Sequence, residues 1–266
     1  PVVSFGRTGL SMEKDSAARF LEACSECMDG ARKRTGIGTL GEKTLHAVLK
    51  QYLEPRKGNQ EVPVGPYVAD ICNEQGILEI QTRGFDRLRE KLAFFLELGP
   101  VTVVYPVPAR KWLIWIEEDG TDSPRRKSPK SASACEILPE LYKLKPLLSA
   151  PNLRLCIVML ELEEYRLKNG WGNGGKRGST RFDRMPVNLL EELWITSLEE
   201  YRRFLPESLQ ETFTVRDFAS AARMSAKAAS AAVNVLYAVG ALERTGKLKN
   251  AFLYRRADGT GPRSSV

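Results

Sequence analysis

The chain has 266 residues, 42% of them hydrophobic, with 40 Lys and Arg against 33 Asp and Glu and a net charge of +7. That length suits one large domain or two modest ones that bury an ordinary core. No run approaches a membrane span, the start lacks a secretory-signal pattern, and five cysteines follow no disulfide-framework spacing. A membrane-spanning helix and a disulfide framework are not expected, and a cytoplasmic location is.

Charge is unevenly spread. Residues 212–266 carry 9 Lys and Arg against 3 Asp and Glu, or +6, and the remaining 31 against 30 give +1. A basic C-terminal module on a near-neutral body suggests an anionic partner.

In chain order, residues 12–33 read as an amphipathic helix that ends in Arg32-Lys33-Arg34 and is broken by Gly36 and Gly38. It holds Cys24-Ser25-Glu26-Cys27, a lone CxxC with no second pair. Packing outweighs zinc or redox chemistry there. A second helix over 40–53 puts Leu45, Val48, Leu49 and Tyr52 at core spacing and carries Glu42 and His46. Three strands follow near 60–64, 67–72 and 77–82, then a helix over 85–98 that stops at Gly99-Pro100. Strands are expected at 101–105, 112–116 and 153–162, so a strand–helix–strand crossover feeds a mixed sheet flanked by helices, an α/β (α+β) fold.

Residues 121–133, with Arg125-Arg126-Lys127 and Lys130, read as a loop or arm. The glycine-rich stretch 170–178 carries Lys176 and Arg177 but no GxxxxGKS/T phosphate loop. It reads either as a basic loop lying along a nucleic-acid backbone or as a plain solvated loop. A helix is expected over 187–205, followed by a linker at Pro206.

The densest chemistry lies in the hairpin. Val68-Ala69-Asp70-Ile71 and Ile77-Leu78-Glu79-Ile80-Gln81 flank a polar turn at Asn73-Glu74-Gln75-Gly76. An even loop sets Asp70 opposite Glu79, and strand alternation puts Gln81 on the face of Glu79. Two carboxylates among apolar residues call for a cation between them, and oxygen ligands suit Mg²⁺ or Mn²⁺. The competing reading is a polar, solvent-facing strand edge.

A helix Glu, a strand Asp, Glu-x-Gln on the next strand and then a basic helix resemble the PD-(D/E)xK nuclease superfamily, the restriction-endonuclease-like fold, over about residues 36–117. The resemblance implies a metal-dependent DNA endonuclease in which Asp70, Glu79 and Glu42 hold Mg²⁺ or Mn²⁺. Gln81 stands where the family usually has lysine. Lys91 on the following helix would return the missing charge, or else is a surface residue. The alternative is a catalytically inactive, nuclease-like DNA-binding or assembly protein.

At the C-terminal end, Thr214 and Ser225 are placed to cap helices over 215–223 and 226–239, and Gly240 to end the second. Strands at 241–244 and 252–255 then enclose a basic turn. This order resembles a winged helix-turn-helix over 207–257. Lys227, Ser230 and Asn234 share one face of the second helix, which is expected to enter a DNA groove while Lys247 and Lys249 touch phosphates. A protein-interaction module is the competing reading. The expected organisation is a nuclease-like domain over 1–205 with its core at about 36–165, a winged-helix domain over 207–257 and a flexible tail over 258–266. DNA is the expected partner and no membrane is. A homodimer or a complex with other proteins stays open.

Overall fold

A computed structural model describes residues 9–32, 43–117, 119–168 and 180–257. The helices are α1 (Gly9–Arg32), α2 (Lys43–Leu53), α3 (Phe85–Leu98), α4 (Leu138–Leu141), α5 (Val215–Ala221) and α6 (Ala226–Ala238). The strands are β1 (Gln60–Val64), β2 (Tyr67–Asn73), β3 (Gly76–Ile80), β4 (Val101–Ile116), β5 (Arg126–Lys127), β6 (Leu153–Leu167), β7 (Thr180–Ile195), β8 (Thr212–Phe213), β9 (Leu242–Leu248) and β10 (Ala251–Arg256). One sheet has the order β1-β2-β3-β4-β6-β7 with β5 against β4, and a second has the order β8-β10-β9. The first sheet is mixed: β2 and β3 are antiparallel, and β3 and β4 are parallel. The fold is therefore mixed α+β. No helix among the described residues is long and apolar enough to cross a membrane.

The chain divides into two compact units, built from residues 1–60, 108–132 and 158–192 and from residues 61–107, 133–157 and 193–266. In the first unit, α1 and α2 pack through Phe20, Ala23 and Cys24 against Leu45, Val48, Leu49 and Tyr52. Phe20 meets the Tyr52 ring edge-on at 5.3 Å. Cys24 is buried and donates to the Pro186 carbonyl at 3.4 Å, a packing role. This unit also buries acids. Glu161 accepts from the Trp112 indole at 2.6 Å, Asn188 at 3.0 Å and Arg110 at 3.2 Å. Glu164 is matched by Arg166 at 2.6 Å, Lys111 at 3.4 Å and Arg184 at 3.8 Å. Burial raises the pKa of Glu164, but these cations outweigh it and hold the group below its ordinary range. Such fully compensated carboxylates are structural.

The second unit holds the hairpin β2–β3 and the crossover helix α3. Apolar residues at Phe85, Leu88, Leu92 and Phe95 recur at helical spacing and are buried. Gly84 begins α3 with φ +71°, a left-handed conformation that glycine adopts without strain. Gly76 opens β3 at φ +118°, where a Cβ would lie 2.3 Å from the Pro100 carbonyl oxygen, so the close approach of the two backbones requires glycine. In the C-terminal part of this unit, Thr214 and Asp217 form a reciprocal capping box on α5. Ser225 caps α6 by accepting from the Ala228 N–H at 3.3 Å.

Three sequence-based expectations need correction. The helix expected over 187–205 is instead the end of β7 and a 3₁₀ turn at Glu199–Phe204. Leu189, Leu190 and Leu193 have helical spacing, but placement beside β6 in the sheet overrides it. The strands expected at 101–105 and 112–116 are one continuous strand through Pro106 and Pro108. The Val104 carbonyl accepts from Gln81 N–H, so alternate residues 106 and 108 turn to the same side. Pairing with β3 ends at Val104 and pairing with β5 begins at Trp112, so the prolines' missing N–H groups fall between the two pairings, where no strand of the described residues pairs on that side. The arm expected at 121–133 contains β5, which pairs with Trp112 and Leu113.

Candidate active site

The two-residue turn Glu74-Gln75 sets the register Ile71↔Leu78, Cys72↔Ile77 and Asn73↔Gly76. Continuing it one step places Asp70 opposite Glu79. There the two side chains replace the regular ladder. Glu79 Oε1 accepts from the Asp70 backbone N–H at 3.2 Å, and Asp70 Oδ2 accepts from the Ile80 N–H at 2.8 Å. Each carboxylate thus satisfies a backbone donor on the opposite strand.

Glu79 is 3% exposed and Asp70 is half-buried. Burial, then the Asp70 charge, pushes the Glu79 pKa from its ordinary 4.5 up to about 7. Lys91 opposes both, its Nζ lying 2.6 Å from Glu79 Oε2. The helix explains that reach. Leu88, Leu92 and Phe95 face the core, and Lys91 stands at the rim of that face with its ammonium 5.5 Å from the Phe95 ring centre. Lys91 is therefore a member of the constellation, not a free surface lysine.

Gln81 continues the chain from β3, and its N–H donates to the Val104 carbonyl at 2.9 Å. Its side-chain nitrogen donates to the Arg83 and Gly84 carbonyls at 2.6 and 3.4 Å, closing the turn into α3. Glu42, Lys176 and Arg177 lie outside the described residues. His46 is half-buried on α2. Among the described residues, no three or more His, Cys, Asp or Glu side chains gather as a metal cluster, so Asp70 and Glu79 stand as a pair. Carboxylate oxygens are the donor type that a hard divalent cation takes, and here Glu79 Oε2 is held by Lys91 and Oε1 by the Asp70 N–H.

The residues assigned to DNA contact are spread over the C-terminal part. Lys227 and Ser230 are exposed on α6. Asn234, on the same face, accepts from Lys145 Nζ at 3.0 Å, and α6 packs on α4 and on the 3₁₀ turn Tyr142–Leu147. That contact takes up one end of the expected reading face. Lys247 and Lys249 are exposed at the tip of the β9–β10 hairpin, with Lys247 Nζ 4.9 Å from the Phe252 ring centre. Arg244, which the sequence pattern alone did not single out, lies 4.5 Å from the Tyr237 ring and 4.2 Å from the Phe252 ring. Its alternation with Phe252 and Tyr254 across the hairpin was the available signal.

The α3–β4 region belongs to a stretch with known relatives. The chain is a member of the family described as a domain of unknown function, DUF8091, whose model matches residues 43–196, more than half of the chain. It is similar to an uncharacterized protein of Treponema pallidum (strain Nichols), with 35% identity over 167 residues. That match covers 62% of this chain and 64% of the relative, so the chain spans less than two thirds of the relative's length. No solved structure matches the chain.

Proposed function

We propose that this protein is a metal-dependent DNA endonuclease of the restriction-endonuclease-like, PD-(D/E)xK type, with a C-terminal winged helix that holds DNA. The observation that carries the reading is the convergence of Asp70, Glu79 and Lys91 on one spot, with Glu79 buried and its pKa lifted to about 7. Glu164 is held below its ordinary range by several cations, whereas Glu79 has one lysine and a neighbouring acid. A buried acid raised by a neighbouring acid and faced by a lysine is the arrangement that working sites use. Element order supports the same reading: a helix, three adjacent strands, a crossover helix, and a fourth strand parallel to the third.

In this reading Asp70 and Glu79, with Glu42 as a third acid, hold Mg²⁺ or Mn²⁺. The ion supplies an activated water and charge neutralisation at the phosphate. Lys91 offsets charge on the attacked phosphate, a role that the strand position of Gln81 leaves vacant. Gln81 orients through its amide, and Glu79 must lose its proton to act as a ligand. Lys247 and Lys249 meet phosphates, while α6 contributes little base readout because its exposed face is short and poor in Arg and Gln.

A specific observation favours a second reading, a catalytically inactive nuclease-like DNA-binding or assembly protein. Gln81 is neutral, and its side-chain nitrogen is turned to the Arg83 and Gly84 carbonyls, so the strand position offers the site neither a cation nor that donor. Incubating the purified chain with supercoiled, linear and branched DNA in Mg²⁺, Mn²⁺ or chelator separates the two. Metal-dependent cleavage that is lost in Asp70→Ala and Glu79→Ala supports the nuclease. DNA binding without cleavage under every condition supports the inactive protein.

A further inference from the structure

A pocket of about 440 Å³ lies within the second unit, and neither Asp70 nor Glu79 lines it. Its walls come from three stretches: residues 148–153 before and at the start of β6, residues 195–202 at the end of β7 and in the 3₁₀ turn, and Val239-Gly240 just after α6. Leu148, Leu153, Ile195, Leu198 and Val239 make the lining mainly apolar. Its one cation is Arg202. The Arg202 Nε is buried and has no hydrogen-bond partner, and no ion pair to Arg202 occurs among the described residues. Arg202 as a whole is half-buried, and its guanidinium is the one positive charge on the pocket wall, with its inner N–H unmatched.

We propose that this pocket is a binding site for a small organic monoanion: an apolar body seated among the leucines, with a carboxylate paired to Arg202. Volume and lining fit. Ligand pockets of several hundred Å³ are mostly apolar with a few placed polar groups, and one guanidinium presents two parallel donors to a carboxylate. A nucleotide is a poor match, because the pocket offers a single cation and no glycine-rich phosphate cradle. Glu199, an exposed lining residue one turn before Arg202, carries the opposite charge. It has no ion-pair partner among the described residues, and it repels anions, so it disfavours a second negative charge on the ligand.

Titration calorimetry with octanoate, and with octanol as the same body without the charge, tests the site on the full chain. Octanoate is expected to bind saturably. Arg202→Gln should weaken it about tenfold or more, the usual loss for one charge-assisted pair, and Arg202→Lys should lose part of that. Glu199→Gln, at an exposed position that the fold tolerates, should tighten octanoate about twofold and leave octanol unchanged. If Arg202→Gln fails to fold, Arg202→Lys and Glu199→Gln decide the matter. No saturable octanoate binding to the wild type overturns the proposal. So does octanoate binding that is indifferent to both Arg202 and Glu199, or octanol binding as tightly as octanoate.

Discussion

Replacing Glu79 by Gln removes a charge that is costly for the fold to bury. The amide keeps an oxygen to accept the Asp70 N–H, and Lys91, about one-fifth exposed, can turn to water when its partner is neutral. In the unfolded chain Glu79 ionises near 4.5, but in the folded chain only near 7. Between those values the folded state binds the extra proton, so Glu79 contributes stability below 4.5 that is lost as pH rises through about 7. At about 1.36 kcal/mol per pH unit, the gap amounts to roughly 3 kcal/mol by pH 8.5 and about 1 kcal/mol at pH 5.5. Glu79→Gln should therefore be more stable than the wild type, and its advantage should grow by about 2 kcal/mol between those two conditions. Urea unfolding followed by tryptophan fluorescence at both pH values measures it, and titrating groups remote from Glu79 cancel in the difference. A Glu79→Gln variant that is less stable at pH 8.5, or an advantage that does not change with pH, would refute the picture of Glu79 as a costly, poorly compensated acid.

Three further expectations rest on the same geometry. Lys91→Ala should cut metal-dependent cleavage about 100-fold or more with little change in DNA affinity, and Gln81→Lys in that background should recover part of the rate; single-turnover kinetics and a binding titration read both. Neutralising Lys247 and Lys249 together should lower DNA affinity evenly across sequences and reduce the salt slope by about one unit for each phosphate that is no longer engaged, measured by fluorescence anisotropy at several salt concentrations. Thr214→Ala removes the hydroxyl that accepts from the Asp217 N–H, leaves the Asp217 carboxylate on the residue 214 N–H, and should cost about 1 kcal/mol of stability, read from the urea midpoint.

Much of the candidate site was legible in the sequence because it is local. β-Branched and apolar runs on either side of Asn73-Glu74-Gln75-Gly76 fix a two-residue turn, and that turn alone brings Asp70 opposite Glu79. The helix over Phe85–Leu98 was equally plain, since its core spacing is uninterrupted and Gly99 ends it. Lys91 follows from that spacing, one position from Leu92. The hydrogen bonds of Gln81 were not legible, because the amide is captured by carbonyls whose positions depend on the left-handed turn at Gly84. β7 was hidden by leucines at helical spacing, which only a neighbouring strand could overrule. The Arg202 pocket was beyond reach, since three stretches far apart in sequence build it and an unmatched Nε has no sequence signature.

The claim that Asp70 and Glu79 form a divalent-cation site is tested most directly by the protons that binding releases. Mn²⁺ or Mg²⁺ titrated calorimetrically, in two buffers of different ionisation enthalpy, reports that number. Because Glu79 ionises near pH 7 in the free protein, binding should release close to one proton at pH 6 and almost none at pH 8.5. The release should vanish in Glu79→Gln, and affinity should fall in Asp70→Asn. Binding that releases no proton at pH 6, or that is unchanged in both variants, would contradict the account.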